Sequence, residues 1–177
     1  MKSVSMRRML LVCMSLGLAA LIAPTLWRVQ ARVVYNPSDS VALGWYRIDP
    51  NVGSGALHVG SIVLARLPVS VAAFAAQRGY LPSRVPILKR IGAVAPQSVC
   101  VREQVVRIDG EAVATARLHD VAHRALSAWT QCRPLAENEL FLLSDTNLAS
   151  FDSRYFDPID ASAVLGIAHP LWKWDAQ

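Results

Sequence analysis

The run VPILKRIGAVA, residues 85–95, is apolar apart from two adjacent cations, Lys89 and Arg90. Its branched aliphatic residues predict a strand, in which successive side chains point to opposite faces. Val85, Ile87, Lys89 and Ile91 then share one face, and Arg90 points to the other. The aliphatic residues mark that shared face as a core face, so the strand carries a lysine into apolar surroundings. A lysine placed there finds a partner or gives up its proton. Holding it neutral near pH 7.5 means lowering its pKa by about three units, roughly 4 kcal/mol at 1.36 kcal/mol per unit, and burial does this. A neutral buried lysine is a general base able to take a proton from a serine hydroxyl. Arginine cannot serve, and of the 18 cationic residues only Lys2, Lys89 and Lys173 are lysines. Lys2 lies ahead of a long apolar segment and Lys173 almost at the C-terminus, so a Ser–Lys pair in this chain has Lys89 as its natural base.

Working outward, the neighbouring segments also read mainly as strands. Residues 33–48 are extended, broken by the turn-prone NPSDS cluster at 36–40. SIVLARLP, residues 61–68, is an apolar strand ended by proline. VSVAAFAAQRGYLP, residues 69–82, has alanines at helical spacing and a glycine stop at Gly79. SVCVREQVVRIDGEAVA, residues 98–114, predicts a hairpin of two alternating strands joined through Asp109-Gly110. Residues 117–130 are a short helix or an irregular loop. ELFLLSDT, 139–146, is a strand running into a turn, FDSRYFDPID, 151–160, a polar loop, and AVLGIAHPLW, 163–172, a closing strand. The sum is a mainly β, coiled and mostly antiparallel domain over 33–174 with no internal linker.

The chain has 177 residues, 53% hydrophobic and 18% charged, with a net charge of +5. Its mean hydropathy of +0.31 is high for a soluble chain and points to a membrane segment joined to one ordinary domain. MLLVCMSLGLAALIAPTLW, residues 9–27, is uncharged and about 28 Å long as a helix, close to the ~30 Å hydrocarbon thickness. Lys2, Arg7 and Arg8 in residues 1–8 form a positive flank, which places the N-terminus in the cytoplasm and the domain outside. The competing reading is a cleavable signal peptide with Val29-Gln30-Ala31 as its small-residue site. Either way the domain is exported, to a compartment where Cys100 and Cys132 can pair; the alternative is two buried thiols. The remaining charge is nearly balanced, with no basic stripe, so no nucleic-acid partner is expected. His119-Asp120-Val121-Ala122-His123 spaces two histidines i, i+4 around a carboxylate, but with no third ligand in view; neither metal nor cofactor is expected.

Three stretches combine with these features: Asn36-Pro37-Ser38-Asp39-Ser40-Val41-Ala42-Leu43-Gly44-Trp45-Tyr46, Ile87-Leu88-Lys89-Arg90, and Ser150-Phe151-Asp152-Ser153-Arg154-Tyr155-Phe156. In this order they resemble the type I (leader) signal peptidases, and in detail the conjugative-transfer branch of TraF-type peptidases, over about Tyr35 to Trp172. The resemblance implies a signal-peptidase- or LexA-like coiled antiparallel β domain with one N-terminal transmembrane helix. It implies Ser40 as nucleophile, Lys89 as general base, Asp152 as a further catalytic residue, and the Ser40 N–H with the Ser38 hydroxyl as oxyanion hole. Ser150 would orient the Lys89 amine, and Ser153 and Arg154 would support the site, Arg154 as the ion-pair partner of Asp152. Ala42 stands where the family usually has proline, and Asp157 where it usually has glycine.

The implied activity is serine endoproteolysis of exported precursors after small residues, by a single-pass protein of the cytoplasmic membrane with its peptidase domain in the periplasm. The conjugative branch implies a pilin precursor as substrate and a conjugation or type IV secretion apparatus as setting. The acyl-enzyme would be resolved by water or by the pilin's own amine, which gives a cyclic product. The alternative is a non-catalytic membrane-anchored assembly factor of the same fold.

Overall fold

The computed structural model describes residues 2–26, 33–53, 55–144 and 146–174. Residues Met1–Ala31 and Arg32–Gln177 form two compact units. In the first, α1 (Lys2–Leu26) is a helix whose described side chains, 6–20, are exposed. Among the described residues no helix is long and apolar enough to cross a membrane. The structure therefore does not support the transmembrane helix expected at 9–27. The described side chains 6–20 include the cations Arg7 and Arg8. Trp27 and the alternative cleavage stretch 29–31 lie outside the described residues.

The second unit is built on two antiparallel sheets. The larger takes in β1 (Val33–Asn36), β2 (Leu43–Asp49), β3 (Ile62–Ala65), β4 (Ile87–Val94), β9 (Glu139–Leu143), β10 (Ile159–Asp160) and β11 (Val164–Trp174). Its spatial order is β1-β2-β11-β3-β4-β9-β10. The smaller takes in β5 (Ser98–Arg102), β6 (Val105–Ile108), β7 (Glu111–Thr115) and β8 (Cys132–Pro134), in the order β7-β6-β5-β8. Helix α2 (Val69–Gln77) follows β3, and the single turn α3 (Ser153–Phe156) lies between β9 and β10. A 3-10 turn over Ala161–Ala163 leads into β11.

The central strand β4 shows how alternation divides the interior. Ile87 and Ile91 join one apolar cluster with Val63, Leu140 and Leu142. Leu88, one residue out of phase, joins another with Val41, Tyr46, Ile48 and Leu64. Ala93 reaches the third, where β9 and the smaller sheet pack around Trp129 and Phe141. A register shift between Ile91 and Ala93 allows the change of face. Lys89 stands opposite Val63 on β3 and is 5% exposed. Its period-two company is Ile87 and Ile91; Val85 precedes the strand and is exposed, since Pro86 at the strand entrance has no N–H to give the ladder.

Residues 98–115 contain three strands and two hairpins, where two strands were expected. Asp109-Gly110 joins β6 to β7, not the first pair. The β5–β6 turn is Glu103-Gln104, at φ 50° and 70°, the left-handed geometry that two-residue hairpin turns demand. Without glycine or asparagine it gives no sequence signal. Cys100 and Cys132 face each other across β5 and β8 and form a disulfide. Helix α2 ends at Gly79 (φ 70°), and the Tyr80 N–H returns to the Ala75 carbonyl at 2.9 Å.

Candidate active site

The NPSDS stretch, residues 36–40, opens the turn between β1 and β2, and it is tied from inside by Asn36. The Asn36 side chain is almost fully buried, and its amide nitrogen lies 2.7, 3.0 and 3.2 Å from the carbonyls of Ser38, Val41 and Ala42. Its oxygen accepts from the Ser38 N–H at 3.3 Å and the Ser38 hydroxyl at 3.0 Å. The Tyr46 hydroxyl adds a bond to the Ala42 carbonyl at 2.6 Å. These bonds fix a turn in which Ala42 lacks the ring that stiffens it elsewhere in the resembled family. Asn36 is a residue to which sequence reasoning gave no role.

Ser38 and Ser40 stand with their hydroxyl oxygens 3.0 Å apart. Ser40 is 7% exposed. Both serines, Lys89 and Ser150 line one cleft of about 550 Å³. Its wall is largely aliphatic, with Leu64, Leu67, Leu81, Val85 and Val121 among its residues. The Lys89 amine donates to the Ser150 hydroxyl. Burial holds its pKa down to about 8, assisted by the Arg154 charge and opposed by the Asp152 and Asp39 carboxylates. Near neutrality the amine is therefore poised to exchange its proton.

Behind the cleft, Asp152 and Arg154 are both buried and form a two-pronged ion pair. Arg154 Nε bonds one carboxylate oxygen and Nη2 the other, each at 2.7 Å. Asp152 also caps the first turn of α3, taking the Arg154 N–H at 3.2 Å, and accepts the Ser144 N–H at 3.0 Å. The remaining Arg154 donors reach the carbonyls of Ser150 at 3.1 Å, Thr115 at 2.8 Å and Leu148 at 3.2 Å. One guanidinium thus binds the Ser150 loop to β7 of the smaller sheet. The buried Ser153 hydroxyl accepts the Leu142 N–H at 3.0 Å and ties α3 to β9. Phe151, next to Ser150, packs on Phe74, Tyr80, Tyr155 and Phe156, with ring centroids 5.2–6.1 Å away. The predicted polar loop 151–160 is therefore mostly an interior element.

Two further contacts join the 144–150 loop to the serine turn. The Ser144 hydroxyl donates to the Ser40 carbonyl at 2.9 Å, and the Thr146 hydroxyl donates to the Asp39 carbonyl. Asn147 donates to the Asp39 carboxylate at 2.6 Å. In the sequence Ser144 and Thr146 read as a turn following a strand, and neither they nor Asn147 had a role assigned.

His119 and His123 are exposed, on an irregular loop and not a helix. The Asp120 carboxylate between them is engaged elsewhere. It takes the Tyr80 hydroxyl at 2.5 Å, the Arg124 guanidinium at 2.7 Å and two backbone N–H groups. Burial alone would raise this carboxyl; these donors hold it below the usual carboxylate range.

Residues 5–173 match the model of the family described as signal peptidase, peptidase S26. A plasmid transfer protein TraF of Escherichia coli is 30% identical over 169 residues, covering 89% of this chain and 92% of that protein. A second Escherichia coli plasmid transfer protein TraF is 27% identical with the same coverage. A conjugal transfer protein TraF of Agrobacterium fabrum is 32% identical over 55% of this chain and 58% of its own length. Among solved structures, a signal peptidase I from Enterococcus faecalis is 19% identical with a TM-score of 0.37, covering 62% of this chain and 94% of that one. The match extends over nearly the whole chain, all three motif stretches included, and the chain belongs to the signal peptidase family, peptidase S26.

Proposed function

We propose that the chain is a serine endopeptidase that uses Ser40 and Lys89 as a dyad to cleave an exported precursor, the precursor of a conjugative pilin. The observation that carries the reading is Lys89: a buried amine held near a pKa of 8, bonded to Ser150, in the cleft that also holds the Ser38–Ser40 pair. The similarity to TraF proteins of plasmid and conjugal transfer supports the conjugation setting, in which we take a pilin precursor as the substrate.

In the reaction, neutral Lys89 takes the Ser40 proton as Ser40 Oγ attacks the scissile carbonyl. The oxyanion is met by the Ser40 N–H and the Ser38 hydroxyl. Ser38 has one proton, which at rest goes to Asn36, so Ser40 donates to Ser38. Ser38 turns its proton to the oxyanion as Ser40 gives its own to the amine. Protonated Lys89 then gives its proton to the leaving amine as the scissile C–N bond breaks, and water, or the precursor's own amine, resolves the acyl-enzyme. Ser150 aims the amine, and the Asp152–Arg154 pair holds the Ser150 loop.

We place the domain in the periplasm and the N-terminal segment in the cytoplasmic membrane. The uncharged run 9–27 and the cations Lys2, Arg7 and Arg8 support this placement. Carbonate extraction leaves an anchored protein in the membrane pellet and releases a cleaved one. The function is tested by expressing the chain beside a candidate pilin precursor. Ser40→Ala and Lys89→Ala abolish processing; precursor processed at the normal rate by either variant overturns the dyad, and by both favours a non-catalytic assembly role. A product lighter than the linear peptide by one water is the cyclic one.

A further inference from the structure

The two carbonyls that flank the nucleophile are each held by a hydroxyl from one loop. Thr146 holds the carbonyl of Asp39, and Ser144 holds that of Ser40 at 2.9 Å. These carbonyls belong to the peptide planes immediately before and after the Ser40 α-carbon. The Asp39–Ser40 peptide is trans, so its N–H points opposite to its C=O. Whatever fixes the Asp39 carbonyl therefore fixes the direction of the Ser40 N–H. Among the described residues, no acceptor takes that N–H. It remains available for the charge that develops on a substrate carbonyl.

The loop that supplies these hydroxyls is itself restrained. The Ser144 N–H is bonded to the buried Asp152 carboxylate at 3.0 Å, and the Asn147 N–H returns to the Ser144 hydroxyl at 3.0 Å. The Asn147 side chain reaches the Asp39 carboxylate at 2.6 Å. A continuous series of hydrogen bonds thus runs from the Arg154–Asp152 pair through Ser144 to the residue that carries the nucleophile. Asn36 holds the same turn from its other side, through the carbonyls of Ser38, Val41 and Ala42. The carbonyls of Asp39 and Ser40 are the two that Asn36 leaves to the 144–147 loop.

We propose that Thr146 and Ser144 are positioning residues that clamp the two peptide planes on either side of Ser40 and so aim its N–H at the oxyanion. The assignment rests on the proposed serine-peptidase reading. It also gives Asp152 a route to the reaction through Ser144, without contact with the substrate.

The test uses the full chain in detergent and a quenched fluorescent peptide with alanines before the scissile bond. Ser40→Ala and Lys89→Ala serve as inactive references. Thr146→Val and Ser144→Ala are each expected to lower kcat about tenfold, with KM within about twofold, because small misplacements at a reacting centre act on the transition state. Thr146→Ser keeps the hydroxyl and restores the rate. The pH midpoint of the surviving activity stays near 8, since Lys89 keeps its surroundings. Circular dichroism melting separates a lost clamp from a lost fold. If both variants cleave at the wild-type kcat while Ser40→Ala is dead, the clamp is wrong and the peptidase reading stands. A rate that falls only in step with the melting temperature, with no rescue by Thr146→Ser, also overturns it. A wild-type chain that does not cleave, or a Ser40→Ala chain that cleaves equally, removes the peptidase reading and the clamp with it.

Discussion

At the residue scale, Lys89 as the proposed base links activity to stability through one proton. Its pKa falls from 10.5 to about 8 on folding, burial being the main cause. The base form is neutral, so kcat/KM should rise with pH through a midpoint near 8 and level off above it. Stability moves in the same direction. Between about 8 and 10.5 the unfolded chain binds the proton that the folded chain has released, so unfolding free energy increases with pH across that window. Below 8 both states are protonated and the buried charge opposes folding by about 3 kcal/mol, at 1.36 kcal/mol per unit. Lys89→Met should accordingly be inactive and melt at a higher temperature than the parent at pH 7. Scanning calorimetry beside a cleavage assay checks both, and a lower melting temperature would show that the amine's contacts outweigh its burial. Asp157 is a second informative position. It ends α3 at φ 70°, ψ 170°, a region where only glycine is unstrained. Asp157→Gly should raise stability by about 1 kcal/mol, after the extra freedom glycine gives the unfolded chain is subtracted.

At the element scale, the loop and turn from Ser144 to Phe156 hold the site together through buried polar groups. Truncating either partner of Asp152–Arg154 leaves an unpaired buried charge, which typically costs about 3–5 kcal/mol. Asp152→Ala or Arg154→Ala should therefore lower the urea midpoint sharply. The double replacement should recover part of the loss, because neither charge is then stranded. Gly166 on β11 and Gly92 on β4 offer a comparison of two glycines. A Cβ on Gly166 would sit 2.5 Å from the Asp49 carbonyl oxygen of β2, whereas one on Gly92 meets only the Leu143 side chain, at 2.8 Å. Backbone cannot retreat as a leucine can. Gly166→Ala should cost more than Gly92→Ala, on the order of 1–3 kcal/mol for overpacking. Equal melting temperatures for the two variants would show that β2 and β11 can separate freely. Strands β3, β4 and β9 were legible because most of their residues are apolar. The β5–β6 turn, the short strands β8 and β10 and the α3 turn were not. Their conformations come from partners distant in the sequence, as when Leu142 bonds Ser153 or Arg154 bonds Thr115.

At the scale of the 33–174 domain, the disulfide closes a separation of 32 residues across β5 and β8. A loop of that length is worth about 3–4 kcal/mol in the chain-entropy account. Reduction should lower the melting temperature while leaving the Lys89 cleft intact, since Cys100 and Cys132 do not line it. The sequence by itself determined the strand-rich character, the order of the three motifs and the singling out of Lys89 as the candidate base. Alternation, residue chemistry and the scarcity of lysine are local or countable properties. Tertiary structure decided what surrounds those residues: burial that lowers the Lys89 pKa, Ser150 on its amine, and a clamp on the serine turn from more than a hundred positions away. A pKa depends on the solvent a group has lost and on the charges brought near it. A hydroxyl's partner depends on which chain segments fold together, and neither is written in the residues that flank it.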